Sequence, residues 1–96
     1  MGGYVATCLS EHLKPSGLFL LAPAFYSPGY ANQNPIPHTN KTSIIHGWHD
    51  DIVPLENSIR FAKQHNSTLH IINGEHHLRQ NIDTIADLFT LFLQKP

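Results

Sequence analysis

The stretch Ile44-Ile45-His46-Gly47-Trp48-His49-Asp50-Asp51-Ile52-Val53-Pro54 limits the possible folds more than any other part of the chain. It opens as a β-branched run and breaks at Gly47. It then offers two carboxylates and restarts at a proline that suits the first turn of a helix. A strand that ends in a polar loop and feeds a helix is the working unit of parallel α/β proteins, whose ligands sit outside the carboxyl ends of the strands. Much of the remaining chain reads as a frame holding this loop opposite a second one, Gly74-Glu75-His76-His77.

The rest of the pattern extends that unit. Val5, Leu9 and Leu13 recur at helical spacing, with Ala6 and Cys8 beside them, so residues 2–14 read as a helix ended by Pro15-Ser16-Gly17. Residues 18–22 form a continuous apolar run without alternation, the mark of a strand covered on both faces. Residues 25–41 have no periodicity and are rich in Pro, Gly and Asn, so they read as a cap-like loop. Residues 42–46 form a second strand and 47–54 an acidic loop. A helix follows over 54–65, with Leu55, Ile59 and Ala62 inward, and then a strand over 68–72. Residues 73–80 form a histidine loop, and Asn81 suits the N-cap of a helix over 82–93 buried through Ile82, Ile85, Ala86, Phe89 and Leu93. The alternation predicts one α/β domain, a three-layer parallel sheet with right-handed crossovers.

Composition narrows the functional classes. A net charge of −1 gives neither a basic field for nucleic acid nor a polybasic membrane patch, so no nucleic-acid or membrane partner is expected. One Cys allows no intrachain disulfide and points to a reducing, cytoplasmic setting. Cys8 reads as an inert buried thiol. The chain enters a helical pattern directly after Met1-Gly2-Gly3, with no leader and no first strand, and reads as the second half of a longer unit.

The chemistry concentrates at two strand ends. Asp50 follows the second strand and His77 the third, and adjacent strands lie about 4.8 Å apart, so their loops can bring an Asp and a His within hydrogen-bond reach. An Asp that accepts one ring N–H fixes the imidazole tautomer and leaves the other nitrogen to take a proton from a nucleophile. Asp51 and His76 are the neighbouring alternatives. Asp51 reads as a solvated or helix-start residue, and His76 as a residue that points to solvent or bonds within its turn. His46 and His70 read as satisfied core histidines.

Met1-Gly2-Gly3, Leu21-Ala22-Pro23-Ala24, the run His46 to Pro54 and Gly74-Glu75-His76-His77 come in the chain order of the α/β-hydrolase superfamily, and the chain resembles the C-terminal half of its small esterase-like members. The resemblance covers nearly the whole chain. It implies cleavage of an ester, thioester or similar acyl bond in a small-molecule substrate through a Ser-His-Asp triad, with no cofactor and no metal. By this match Asp50 is the triad acid and His77 the general base. Met1 would supply an oxyanion-hole N–H, with Gly2 and Gly3 as the elbow glycines that follow the nucleophilic Ser. That Ser would immediately precede Met1, so the chain alone is expected to be inactive. Phe25, Tyr26 and Tyr30 could line an acyl or aryl pocket, or else fasten the loop to the core. Two other readings are a non-catalytic module that forms a homodimer through an open sheet edge, and a zinc site drawn from His46, His49, Asp50 and His76 or His77.

Overall fold

The computed structural model describes residues 2–94. Its elements are α1 (Gly2–Leu13), β1 (Leu18–Leu21), β2 (Thr42–Gly47), α2 (Leu55–His65), β3 (Thr68–Ile72), a 3₁₀ turn (Arg79–Asn81) and α3 (Ile82–Gln94). The strands form one parallel sheet in the order β1-β2-β3, with Leu20 opposite Ile44 and Ile44 opposite Leu69. All three strands therefore end at the same edge, and the loops after β2 and β3 emerge side by side.

Side-chain alternation along β1 sorts the helices into layers. Leu18 and Leu20 join Ile44, Phe25 and Phe61 of α2 in the main core, with Tyr4 and Ala6 of α1 packed on it. Phe19 points to the other face and meets Phe89 and Phe92 of α3, with ring centroids 5.0 and 5.4 Å away. The result is three layers, α1 and α2 on one side and α3 on the other. The outer edge of β1 has no strand partner among the described residues. No helix among them is long and apolar enough to cross a membrane.

Two helices turn differently from the expected faces. In α1 the apolar stripe lies outside: Val5, Leu9 and Leu13 are 42%, 45% and 71% exposed, while Thr7 and Ser10 are fully buried. The inward face can carry hydroxyls because each is satisfied. Thr7 Oγ1 donates to the Gly3 carbonyl at 2.8 Å and Ser10 Oγ to the Thr7 carbonyl at 2.5 Å, while the His38 amide donates to Ser10 Oγ at 2.9 Å. The tight seat of α1 explains the choice of small residues. A Cβ on Gly3 would stand 2.8 Å from Pro23 Cβ, in the turn that ends β1. In α3 no residue is buried, and Ile82 and Leu93 are exposed rather than inward. Asn81 closes the 3₁₀ turn, and its side-chain amide donates to the Asn73 carbonyl at 3.1 Å, fastening the histidine loop.

The loop over 25–41 is tied down by its aromatics. Phe25 is fully buried and stacks on Phe61 at 4.0 Å, so it belongs to the core and cannot wall an open pocket. Tyr30 packs on Tyr4 at 4.3 Å, and the Tyr4 hydroxyl accepts the Asn32 amide at 3.0 Å. The Arg60 guanidinium lies 3.8 Å from the Tyr26 ring centre. Burial pushes the Tyr26 hydroxyl above its ordinary pKa, against the opposing pull of Arg60. These contacts favour the fastening role over the acyl pocket for all three rings.

Candidate functional site

The two loops at the carboxyl edge are bonded to each other through their backbones. The Trp48 amide donates to the Ile72 carbonyl and the His49 amide to the Gly74 carbonyl, each at 3.0 Å. The Trp48 indole N–H adds a bond to Asn73 Oδ1 at 3.1 Å. Gly47 makes this crossing possible, since a Cβ there would stand 2.1 Å from the Gly74 carbonyl oxygen.

Asp50 sits where the crossed loops meet. Its Oδ1 accepts the Ile52 amide at 2.9 Å and the Val53 amide at 2.8 Å, which closes the turn leading into α2. Its Oδ2 accepts Nδ1 of His76 at 2.8 Å and lies 3.2 Å from Nε2 of His46. The carboxylate has no solvent exposure, and the His76 side chain retains 22%. Burial alone would push the Asp50 carboxyl up. The Val53 amide, His76 and the Ile52 amide outweigh that and hold it below the usual carboxylate range.

The partner of Asp50 is therefore His76, which corrects the expectation of His77. Residues 75–78 form a turn in which the Leu78 amide donates to the Glu75 carbonyl at 3.2 Å. Leu78, in a left-handed conformation at φ 56°, is driven into the core at 2% exposure. That anchor rotates the preceding residues so that His76 faces the acidic loop and His77 the solvent, its ring 5.5 Å from that of His76. Asp51 is exposed. Met1 lies outside the described residues. A Cβ on Gly2 would meet nothing within 4 Å, whereas Gly3 has the close approach to Pro23.

Among the described residues no group of three or more His, Cys, Asp and Glu is arranged to hold a metal ion. Nδ1 of His76 is bonded to one Asp50 oxygen, and Nε2 of His46 is bonded to the Val53 carbonyl and lies 3.2 Å from that same oxygen. The residues missed in the sequence are Ser58, which bonds His46, and Gly47 as the crossing point. The four-residue spacing from His46 to Asp50 was the available signal for the approach of those two side chains. Nothing local marks Ser58.

A prediction about acid stability follows from two shifted groups. Burial lowers the pKa of His65, which packs on Phe61 at 4.6 Å. A depressed folded-state pKa gives stability that is present above the unfolded value and lost as pH falls through the folded one. His65 should therefore start to weaken the fold below about pH 6.5, and Asp50 should add a second loss below about pH 3.9. In urea titrations across this range, His65→Phe should flatten the first loss and Asp50→Asn the second. A midpoint insensitive to pH from 7 down to 5 in the unmodified chain would contradict the His65 assignment.

A parallel three-layer sheet with a buried carboxylate–imidazole pair at the carboxyl ends of adjacent strands defines an α/β protein of the kind that carries its chemistry on strand-end loops. Comparison with solved structures gives the particular fold. A protein assigned to the α/β hydrolase superfamily, from Xanthomonas campestris pv. campestris, matches 97% of this chain with a TM-score of 0.87 at 26% identity. A second Xanthomonas campestris protein, an α/β serine hydrolase without a lid, matches 94% with a TM-score of 0.71 at 19% identity. An α/β serine hydrolase homologue from Coxiella burnetii matches 97% with a TM-score of 0.65 at 20% identity. The chain has the fold of the α/β hydrolases. It spans 53%, 40% and 44% of the lengths of these three proteins, about half or less. No protein-family model matches the sequence. No curated protein matches it either.

Proposed function

We propose that this chain supplies the acid and the base of a serine hydrolase that cleaves ester, thioester or similar acyl bonds. The carrying observation is the 2.8 Å bond from His76 Nδ1 to a buried carboxylate whose other oxygen is held by two backbone amides. With Nδ1–H committed to Asp50, Nε2 of His76 is the nitrogen that takes the proton of a nucleophilic hydroxyl as it attacks the acyl carbon. Asp50 steadies the resulting imidazolium, which returns the proton to the leaving group. The depressed carboxyl suits this role, because an ionised acid is what an imidazolium needs beside it.

The nucleophile in this reading is a serine on the turn that enters α1, outside these 96 residues. The Met1 amide would then serve the oxyanion, and Gly3 would let the elbow helix sit against Pro23. Ser10 and Ser58 do not fit the role. Both are fully buried and bonded within the frame.

A fluorophosphonate probe tests the proposal. The 96-residue chain should not be labelled. A protein extended upstream through a Gly-x-Ser elbow should be labelled, and a Ser→Ala change at that elbow should abolish the labelling. Labelling of the 96-residue chain itself would mean that the nucleophile has been misplaced.

A further inference from the structure

His46 is fully buried at the end of β2 and touches three groups from three different places. Its Nδ1 lies 2.7 Å from Ser58 Oγ on α2, and its Nε2 lies 2.9 Å from the Val53 carbonyl and 3.2 Å from Asp50 Oδ2. Ser58 and Val53 satisfy both ring nitrogens, and those two bonds also place the ring against the Asp50 carboxylate and on the residue whose amide donates to Asp50 Oδ1. We infer that His46 is a positioning residue that holds the Asp50 carboxylate in register with His76. The inference rests on the proposed acid and base roles of that pair.

The hydrogen count assigns the tautomer. Nε2 faces a carbonyl and an ionised carboxylate, neither of which can donate, so Nε2 carries the hydrogen. Nδ1 then accepts from the Ser58 hydroxyl, which is itself fully buried. The bonds run from Ser58 to His46 to the Val53 carbonyl, and the Val53 amide in turn donates to Asp50 Oδ1, while the Nε2 of His46 stands 3.2 Å from Oδ2 and His76 donates to that oxygen. The terminal torsion of an Asp side chain is soft, and a carboxylate on a loop can rotate and exchange its oxygens. Here Oδ1 is pinned by the Ile52 and Val53 amides, His46 holds the Val53 carbonyl, and its Nε2 stands 3.2 Å from Oδ2. The ring that holds Val53 and lies against Oδ2 comes from a strand and is oriented by a helix, and rigid elements hold a site more accurately than loops do. Ser58 acts one step further back, by denying Nδ1 a hydrogen.

Imidazole NMR on the 96-residue chain tests this without requiring turnover. In the unmodified chain His46 should show a hydrogen on Nε2 and an accepting Nδ1, and His76 should show a slowly exchanging Nδ1–H proton at low field. His46→Phe, which keeps a ring of similar size but no donor, should abolish the low-field His76 proton. His46→Gln, whose amide can reach the same place, should keep it. A folded His46→Phe chain that retains the His76 signal overturns the inference, as does an Nδ1–H tautomer of His46 in the unmodified chain. If His46→Phe does not fold, the tautomer and His46→Gln decide, and loss of the signal from a folded His46→Gln chain counts against the inference. A His76 signal absent from the unmodified chain, or unchanged by Asp50→Asn, would instead overturn the acid–base reading itself, and the inference with it.

Discussion

In an extended protein carrying the proposed nucleophile, Asp50→Asn should lower kcat by about 10⁴-fold with little change in KM. The amide keeps the shape of the carboxylate, and its oxygen can still take the Ile52 and Val53 amides. Its NH₂ would face Nδ1 of His76 at the 2.8 Å contact, which forces that nitrogen to become an acceptor. The hydrogen then moves to Nε2, the nitrogen that must be bare to receive a proton. His76→Ala removes the base entirely and should cost more, on the order of 10⁶-fold in kcat. His77→Ala serves as the internal control. His77 is exposed and lies beside His76 with no bond to Asp50, so its loss should change kcat by no more than about threefold, roughly 0.7 kcal/mol. Steady-state kinetics on a p-nitrophenyl ester separates the cases. Equal losses from His76→Ala and His77→Ala would refute the assignment of the base.

The distance from His76 to His77 is one residue, and it shows where sequence reading stops. The sheet was legible because continuous apolar runs such as Leu18–Leu21 can be covered only by layers on both faces. The place of the buried carboxylate was legible because Gly47, Asp50 and Pro54 mark a strand end, a carboxylate and a helix start in quick succession. Neighbouring identical histidines carry no such contrast. What separates them is the burial of Leu78, which sets the rotation of the turn and is a tertiary fact. The inward face of α1 was hidden for a related reason. Periodicity finds an apolar stripe but not the surface that will meet it. Thr7 and Ser10 go inside only because their hydroxyls bond back to the helix and to the His38 amide. His46 was visible as a buried histidine, yet its contact with Asp50 depends on how the loop turns back on its own strand.

That turning back depends on Gly47, and Gly47→Ala should be the most damaging single-methyl change in the site. The backbone at Gly47 is not in the left-handed region, so alanine can adopt its conformation and the cost is purely steric. The added Cβ would stand 2.1 Å from the Gly74 carbonyl oxygen, 2.5 Å from its carbon and 3.1 Å from the Glu75 carbonyl oxygen. All three are backbone atoms, so no side chain can swing aside, and one loop must move bodily. The movement strains the Trp48–Ile72 and His49–Gly74 amide bonds and draws Asp50 away from His76. Overpacking of this kind costs about 3 kcal/mol at the upper end of its usual range, a large part of the roughly 5–15 kcal/mol that holds a domain together. The urea midpoint should fall while the slope stays unchanged, and the low-field His76 proton should disappear even at urea concentrations where the chain remains folded. Gly29→Ala is the matching control. Gly29 has φ 88° and no atom within 4 Å of an added Cβ, so the change should cost about 1–2 kcal/mol of backbone strain and leave the His76 proton in place. If Gly47→Ala proved no more harmful than Gly29→Ala, the loops would not be held in the close crossing on which the pairing of Asp50 with His76 depends.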